Sequence, residues 1–246
     1  MKKSPTILSA FFLLLISFVT KAQDKDTKTY PKSYLSLIGG ISTPTGDFGS
    51  YNYSNNKAGF AKKGITAGFD GAYYIYKNLA IGASVTFQDQ GELNISDVQN
   101  LSNGYNIDFM KDQTTVTAVN RYHNFNLMAG PQYSFVRGSF TLDLRAEAGI
   151  IKSTSTPSFI VLFDNPTTTA GAIEQHSSEA KAFAYGGSAG LRYSFADNWD
   201  IGLKANYINS NGVAITNANN PGTTGRFVTR QPISEIQTTL GLTLKF

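Results

Sequence analysis

The sequence contains no cysteine, only two histidines and a single tryptophan. Without cysteine the chain has no disulfide bonds and no thiolate chemistry. Two histidines give few candidates for a catalytic base. After residue 22 there is also no apolar run that approaches the about 20 residues of a membrane-spanning helix. The sequence is rich instead in glycine, with 23 residues, and in aromatic side chains, which make up 13% of the chain.

The amino-terminal segment has the layout of a secretory signal peptide. Lys2 and Lys3 precede the apolar run Ile7–Val19, and small or polar residues follow around Ala22. This order is typical of exported proteins, and the run is too short to span a membrane comfortably, although a retained anchor is the alternative. We expect cleavage after Ala22, or else after Gln23. Residues 1–22 are then a signal peptide and residues 23–33 a short periplasmic lead.

Cleavage changes the charge balance of the chain. The full sequence carries 21 basic and 17 acidic residues, for a net charge of +4. The segment removed contains Lys2, Lys3 and Lys21 and no acid, which leaves 18 basic against 17 acidic residues. No cluster of Lys and Arg with interleaved aromatic residues is present, so the sequence disfavours nucleic acid as a partner.

Apolar and polar residues alternate with period two in eight segments after residue 33. Such alternation gives each strand one apolar and one polar face. In the last segment, Leu240, Leu242, Leu244 and Phe246 alternate with polar or small residues. The predicted strands are Tyr34–Thr43, Gly64–Tyr76, Leu79–Gln88, Val116–Phe135, Phe140–Ile151, Ala182–Phe195, Trp199–Tyr207 and Ile233–Phe246.

The connections between the segments are alternately long and short. Short turns are predicted at Lys77–Asn78, Val136–Ser139 and Ala196–Asn198, and long polar loops at Pro44–Lys63, Asp89–Thr115, Lys152–Lys181 and Ile208–Thr229. In a bilayer every backbone N–H and C=O must be paired, so strands cross only as a closed barrel. The sequence therefore predicts an all-β fold over residues 34–246. This is a transmembrane antiparallel up-and-down β-barrel of eight strands, with four long extracellular loops and three short periplasmic turns.

Aromatic residues of the apolar faces fall into two groups, as expected for two interfacial girdles around an aliphatic band. A soluble β-sandwich, the alternative, would place them at strand centres. The group beside the short turns or the terminus is Tyr133, Phe135, Phe140, Tyr193, Phe195, Trp199 and Phe246, and the group toward the loops is Phe69, Phe87, Phe125, Phe183, Tyr185 and Tyr207.

The opposite faces carry glycines and charged residues that would point into the barrel. The glycines are Gly68, Gly82, Gly130, Gly149, Gly186, Gly190, Gly202 and Gly241, and the charged residues are Asp70, Asp143, Arg145, Glu147, Arg192, Asp200, Lys204 and Glu235. Buried charges need partners, so we predict an ion-pair network, with Arg192 between Asp143 and Asp200. An eight-stranded barrel is only wide enough for side chains, which favours a plugged lumen. A narrow water path is the alternative.

Three segments carry a family resemblance. The run from Gly39 to Phe48 is similar to the first strand and loop entry of the small outer-membrane β-barrel domain family, Asn124–Phe135 resembles its middle strand, and Leu240–Phe246 is similar to its insertion signal. The resemblance implies a barrel in the outer membrane of a Gram-negative cell, surrounded by outer-membrane lipid and lipopolysaccharide. It also implies insertion by the barrel assembly machinery through the last strand. Members include packing or adhesion proteins, small pores and lipid-modifying enzymes, so fold does not fix function.

Candidate catalytic residues are few. His176 lies in a loop with four hydroxyl and carboxyl side chains, Ser177, Ser178, Glu174 and Glu179. A nucleophilic serine needs a base within hydrogen-bond reach, and loop residues of this kind are commonly only solvated. His123 is expected to face outward near Arg121. We therefore predict no catalytic residues, and keep a lipid-A-modifying enzyme as a third hypothesis.

The sequence predicts neither a metal site nor a cofactor site. The loop acids lack the close spacing of a calcium loop: Asp47, Asp89, Asp97, Asp108 and Asp112. The glycine-rich run Gly186–Gly190 lies within a predicted strand rather than before a helix, so it indicates barrel packing rather than phosphate binding.

The loops are the expected location of function, because barrels carry their specific activities there. They are rich in Asn, Ser, Thr, Gly and Tyr, and they suit an unidentified surface ligand as well as plain solvation. Phe159–Phe163 is five consecutive apolar residues within a long loop. It is a strand extension, a lid or a partner contact, and we expect it to pack across the mouth or against lipid. The sequence thus predicts a structural or surface-binding protein, with a small pore or hydrophobic-ligand uptake channel as the alternative.

Overall fold

The computed structural model describes residues 30–109, 114–164, 172–219 and 225–246. The predicted signal peptide lies outside these ranges. The strands in them are β1 (Tyr34–Pro44), β2 (Gly64–Tyr76), β3 (Leu79–Gln90), β4 (Thr114–Val119), β5 (Tyr122–Arg137), β6 (Phe140–Ser155), β7 (Ser158–Phe163), β8 (Ala172–Gln175), β9 (Lys181–Ala196), β10 (Trp199–Ser210), β11 (Val213–Ala214), β12 (Asn217–Ala218), β13 (Arg230–Gln231) and β14 (Ser234–Lys245). A 3-10 helix spans Gly46–Gly49, and helix α1 spans Ile95–Asp108.

Eight of the strands form a closed antiparallel barrel in the order β1-β14-β10-β9-β6-β5-β3-β2. Each barrel strand pairs with its neighbours in the chain, as in an up-and-down meander. Closure pairs β1 with β14, in a register that runs from Tyr34 opposite Lys245 to Pro44 opposite Glu235. Closure removes both sheet edges, so that the N–H and C=O groups along each barrel strand are paired. The predicted fold is confirmed.

Alternation along each barrel strand separates a buried lumen face from an exposed outer face. In β5, for example, Asn126 and Met128 are buried whereas Leu127 is exposed. Every aromatic residue assigned to the two girdles is exposed on the outer face. In the group beside the short turns, the exposed fraction of the residue runs from 40% for Trp199 to 70% for Phe246. The outer surface is therefore apolar where it would meet lipid.

The three short connections are two-residue turns: Lys77 and Asn78, Gly138 and Ser139, and Asp197 and Asn198. Lys77 and Gly138 have φ values of 44° and 57°. A left-handed residue lets a two-residue turn match the twist of the flanking strands. The predicted turn positions were right, but Val136–Ser139 and Ala196–Asn198 were predicted too long, because β5 runs to Arg137 and β9 to Ala196. At the loop end β3, β6 and β10 run two to four residues further than the apolar pattern indicated.

The predicted fourth strand, Val116–Phe135, is wrong as a single element. It consists of β4 and β5, separated by Asn120 with φ of 66° and by Arg121. Asn adopts the left-handed region more easily than most residues, and this conformation interrupts the extended backbone. β4 leaves the barrel and pairs with β7 instead.

The long connections fold into a compact structure at the loop end of the barrel, which we call the head. It contains α1, the four-stranded sheet β12-β8-β7-β4 and the small sheet β11-β13. The helix begins with a capping box, in which the Asn94 side chain accepts from the Asp97 N–H and the Asp97 side chain accepts from the Asn94 N–H. Such caps satisfy N–H groups that the first helical turn leaves unpaired. No helix in the described parts of the chain is long and apolar enough to cross a membrane.

Candidate functional site

The lumen layer nearest the short turns is centred on Arg192. Its Nε donates to Asp143 Oδ2 at 2.6 Å, and its Nη1 donates to Asp200 Oδ2 at 3.0 Å. Lys245 Nζ lies 2.6 Å from Asp200 Oδ1, and the guanidinium carbon of Arg192 lies 4.0 Å from the ring centre of Tyr34. The predicted position of Arg192 between two aspartates is confirmed.

A second charged layer lies one level above the first. Arg145 donates from Nη1 to Asp70 Oδ1 at 2.8 Å and from Nη2 to Asp70 Oδ2 at 3.2 Å. Lys204 Nζ lies 2.7 Å from Asp70 Oδ1 and 3.6 Å from Glu147 Oε1. Since these side chains come from β2, β6 and β10, the layer ties together strands from opposite sides of the barrel.

Glycines make room for the two arginines. A Cβ added at Gly82 would lie 2.2 Å from Nε of Arg145, and one at Gly202 would lie 3.1 Å from Cγ of Arg192. At Gly130 and Gly186 the added Cβ would instead meet the backbone oxygen of the neighbouring strand. Lumen glycines therefore serve both charge packing and close strand approach.

The third layer, at the loop end, is built around Glu235, which is fully buried. Ser42 Oγ donates to Glu235 Oε2 at 2.5 Å, and Gln90 Nε2 donates to the same oxygen at 3.1 Å. Gln237 Nε2 donates to Oε1 at 3.0 Å, and Gln88 Nε2 also donates to Oε1. This carboxylate is thus surrounded by neutral donors.

These layers leave little free space. A cavity of about 30 Å³ lies between the two charged layers, lined by Asp70, Arg145, Arg192 and Lys204 among others. That volume holds one or two water molecules. The lumen around the charged layers is packed with side chains, as expected for a barrel of eight strands.

An apolar cluster closes the loop end of the lumen. Phe48 from the 3-10 helix packs against Tyr122 with ring centres 4.8 Å apart, and Ile208, Val213 and Ile233 belong to the same buried cluster. The Tyr122 hydroxyl donates to the Gly59 carbonyl at 2.9 Å. Because strand ends and loop residues share this cluster, a buried apolar contact joins the head to the barrel.

A separate apolar cluster forms the core of the head. It brings together α1, the β1–β2 connection and the four-stranded sheet through Ala58, Phe60, Leu101, Tyr105, Val116, Phe159, Val161 and Ile173. The run Phe159–Phe163 is therefore part of strand β7 and contributes to the head core, not to the cluster at the mouth. Ile160 and Leu162 point to the other face and are 42% and 47% exposed.

Arg226, which lies between β12 and β13, connects its loop to the β1–β2 connection of the head. Its guanidinium donates to the Asn55 carbonyl at 2.6 Å and to the Ala58 carbonyl, and it lies 5.2 Å from the ring centre of Phe60. Burial lowers the pKa of Arg226, opposed by Tyr122 and Tyr105 nearby. The sequence pattern does not mark this residue, because the hydrogen-bond acceptors described here are backbone carbonyls, which leave no pattern in the sequence.

The head also carries an open groove of about 630 Å³ between α1 and β4. Its lining mixes apolar side chains with amides and hydroxyls: Leu93, Asn94, Ile95, Val98, Gln99, Ser102, Asn106 and Thr114–Ala118. The volume lies in the range of small-ligand sites.

The family model of the outer membrane protein beta-barrel domain matches residues 10–231. The chain belongs to this family. Its place in the outer membrane follows, in agreement with the apolar outer face of the barrel.

Several solved structures are similar to this outer-membrane barrel. Neisserial surface protein A is 12% identical, with a TM-score of 0.45, over 87% of this chain and 97% of that one. Ail, the attachment invasion locus protein of Yersinia pestis, is 12% identical, with a TM-score of 0.43, over 87% and 99%. OprG from Pseudomonas aeruginosa is 10% identical, with a TM-score of 0.39, over 90% and 99%. A search of curated proteins gives no significant match.

The serines near His176 are bound elsewhere in this barrel. His176 Nε2 lies 3.9 Å from Glu174 Oε2. Ser177 Oγ accepts from the Thr156 N–H at 3.0 Å, and Ser178 Oγ donates to the Ala214 carbonyl at 2.6 Å. These contacts organise the loop backbone rather than forming a Ser–His–acid triad.

His123 and the loop acids have structural partners. His123 faces outward as predicted, with Nε2 3.2 Å from Asp89 Oδ1, and Arg121 Nε lies 3.4 Å from the same oxygen. Asp97 caps α1 and accepts from Lys62. Among the described residues no group of three or more His, Asp or Glu side chains is placed to hold a metal ion, and Asp112 lies outside them.

Proposed function

We propose that this outer-membrane barrel serves as a membrane anchor that presents the head for recognition at the cell surface and does not conduct solutes. One observation carries the proposal: side chains fill the lumen in successive layers. These are the two charged layers, the Glu235 layer and the apolar cluster at the mouth. A pore needs a continuous hydrated path, and each of these layers stands in its way.

The energy of the charged layers supports a permanently filled lumen. Removing one partner of a buried ion pair typically costs about 3–5 kcal/mol, because the other charge stays buried. Arg145, Arg192, Lys204 and Lys245 all contact lumen carboxylates, so a water path would have to disrupt several such pairs together.

The orientation of the head is part of the proposal. Outer-membrane barrels place short turns in the periplasm and long connections outside the cell. By that rule the two-residue turns are periplasmic, and α1 with the four-stranded sheet faces the exterior. The groove between α1 and β4, with its amide and hydroxyl lining, then offers a ligand site at the cell surface. The further partner predictions, lipopolysaccharide and the assembly machinery, stay predictions, as does the absence of catalysis.

Planar-bilayer recording tests the proposal of a sealed lumen. The purified protein should give no single-channel steps above the background of protein-free membranes. A large open porin reconstituted in the same membranes serves as the positive control, because it shows that an inserted barrel with a hydrated path gives detectable steps. Clear steps from the unmodified protein would favour the alternative of a small pore.

Cysteine labelling in intact cells tests the orientation. Because the chain has no cysteine, a single Lys57→Cys or Lys77→Cys substitution introduces a unique thiol. Lys57 lies in the long β1–β2 connection and Lys77 in a two-residue turn, and both are exposed. A membrane-impermeant maleimide should label the Lys57 variant alone, and the Lys77 variant only after the membrane is opened. The reverse pattern would refute the proposed orientation.

A further inference from the structure

The lumen carries one negative charge more than its ion pairs neutralise. Asp70, Asp143, Glu147 and Asp200 each lie within 3.6 Å of a basic nitrogen. Glu235, the fifth lumen carboxylate, has no ion-pair partner among the described residues and is fully buried. An isolated carboxylate in such a place is costly unless other groups stabilise it.

Side-chain amides stabilise Glu235 in a particular way. Gln88, Gln90 and Gln237 each turn an NH₂ group to the carboxylate, and Asn126 also bonds to it. An amide that donates from nitrogen is polarised, so its carbonyl oxygen becomes a better acceptor. The carbonyl oxygens of these amides therefore carry more negative partial charge than they would without Glu235.

Three of those four carbonyl oxygens, in Gln88, Gln90 and Asn126, have no protein partner among the described residues. Seven buried side-chain atoms in this part of the lumen have no hydrogen-bond partner within the described parts of the chain. One is the nitrogen Asn124 Nδ2, and the other six are oxygens: Thr66 Oγ1, Gln88 Oε1, Gln90 Oε1, Asn124 Oδ1, Asn126 Oδ1 and Asn206 Oδ1. The sheet register keeps them close, since Gln88 lies opposite Thr66 on one side and Asn124 on the other, and Asn206 lies opposite Gln237. Unsatisfied polar atoms are few in folded proteins, and such a concentration points to a ligand.

We propose that this layer binds an alkali-metal cation, Na⁺ or K⁺. Amide and hydroxyl oxygens contact the cation, and Glu235, which bonds to the nitrogens of three of these amides, supplies the balancing negative charge. The donor set contains oxygen only, which suits hard cations. Neutral carbonyl oxygens are the groups that replace the hydration shell of alkali ions in selectivity filters. A single carboxylate matches a single positive charge. The cation would balance the lumen and brace the ends of β3, β5, β10 and β14 beneath the head.

Thermal unfolding of the detergent-solubilised protein tests the site. Melting is followed by circular dichroism in NaCl, KCl and N-methyl-D-glucamine chloride at equal ionic strength. We expect a saturable rise in melting temperature in one of the alkali salts, about 5 °C or more above the organic cation. Equal melting in all three salts would overturn the proposal and leave ordered water as the occupant.

Two variants and a control make the test specific to the layer. Glu235→Gln should remove the salt effect, whereas Glu174→Gln, at a carboxylate in the head sheet, should keep it. If Glu235→Gln does not fold, Asn206→Ala decides the question. It removes a carbonyl oxygen that has no protein partner, so the rise in melting temperature caused by the alkali salt should shrink, whatever the change of melting temperature in N-methyl-D-glucamine. An undiminished alkali effect in Asn206→Ala, or in a folded Glu235→Gln, would refute the assignment.

Discussion

Arg145 and Asp70 face each other across the lumen in a two-point ion pair, with N–O distances of 2.8 and 3.2 Å. The two residues are 75 positions apart in sequence and come from β6 and β2, which are not neighbouring strands. The guanidinium crosses the space that a side chain at position 82 would otherwise fill. This contact therefore depends on barrel closure and on Gly82. Substitutions at Arg145 or at Gly82 should both lower the stability of the barrel.

Replacement of Arg145 by Leu should lower the free energy of unfolding by about 3–5 kcal/mol, because Asp70 and Glu147 lose a cation that lies within their buried layer. Equilibrium unfolding in urea, in detergent micelles, measures the change. The matched variant Asp70→Asn/Arg145→Leu should recover part of the loss, since it leaves one carboxylate, Glu147, for the one remaining cation, Lys204. A loss under about 1 kcal/mol would contradict the buried pair, because only exposed pairs contribute so little.

Replacement of Gly82 by Ala should destabilise the barrel, because the new Cβ would lie 2.2 Å from Nε of Arg145 and force the guanidinium off Asp70. Gly190→Ala is the control. Its Cβ would meet its nearest neighbours at 3.8 Å, an ordinary contact, at another lumen position. Urea unfolding should show a loss of about 1–3 kcal/mol for Gly82→Ala and little change for Gly190→Ala. Equal effects of the two would show that Gly82 is not required for Arg145.

Alternation in β7 predicts opposite effects of the same substitution at adjacent positions. Val161→Asp buries a carboxylate in the head core, where Val161 is fully buried, and should unfold the head. Ile160→Asp, on the exposed face, should leave it folded. Limited proteolysis measures the difference, with heat-resistant electrophoretic mobility of the barrel as the check that the membrane part is intact. Cleavage at the same rate in both variants would contradict the assignment of β7 to the head sheet.

Alkaline pH should weaken the head. Tyr105 is fully buried, and its hydroxyl donates to the Arg226 carbonyl at 3.3 Å. Burial raises the pKa of Tyr105 above its usual value of about 10, and Tyr53, which donates to Asp108 at 2.7 Å, has a pKa raised by burial and by that bond. The folded head keeps protons that the unfolded chain releases, so stability is present below about pH 10 and falls as the pH rises further.

Proteolysis of the head between about pH 9 and 12 measures this dependence. Tyr105→Phe has no proton to lose at this position, so its dependence on pH should be shallower than that of the unmodified protein. A steeper or unchanged dependence would show that Tyr105 does not couple to the stability of the head.

Barrel strands and lumen charges could be predicted because both follow from the alternation of apolar and polar residues along each strand. Each residue of an outer-membrane strand faces either lipid or lumen, so a charged residue on the polar face, such as Asp200, must point into the lumen. The pairing of Arg192 with Asp143 and Asp200 followed from their heights above the short turns. The break at Asn120 could not be predicted in this way, since β4 continues the alternation of β5 while pairing with a different sheet.

The sequence by itself determined the eight barrel strands, the positions of the short turns, the apolar outer face and most of the lumen charges, because each depends on residues that are near in sequence or repeat with a fixed period. Only the tertiary structure decided what the long connections do. Their packing depends on contacts between distant segments, such as Arg226 with the carbonyls of Asn55 and Ala58, and backbone acceptors leave no trace in composition. It also decided that Glu235, alone among the lumen acids, is surrounded by amides instead of a base. Which side chains meet across a closed barrel depends on the register of all eight strands at once.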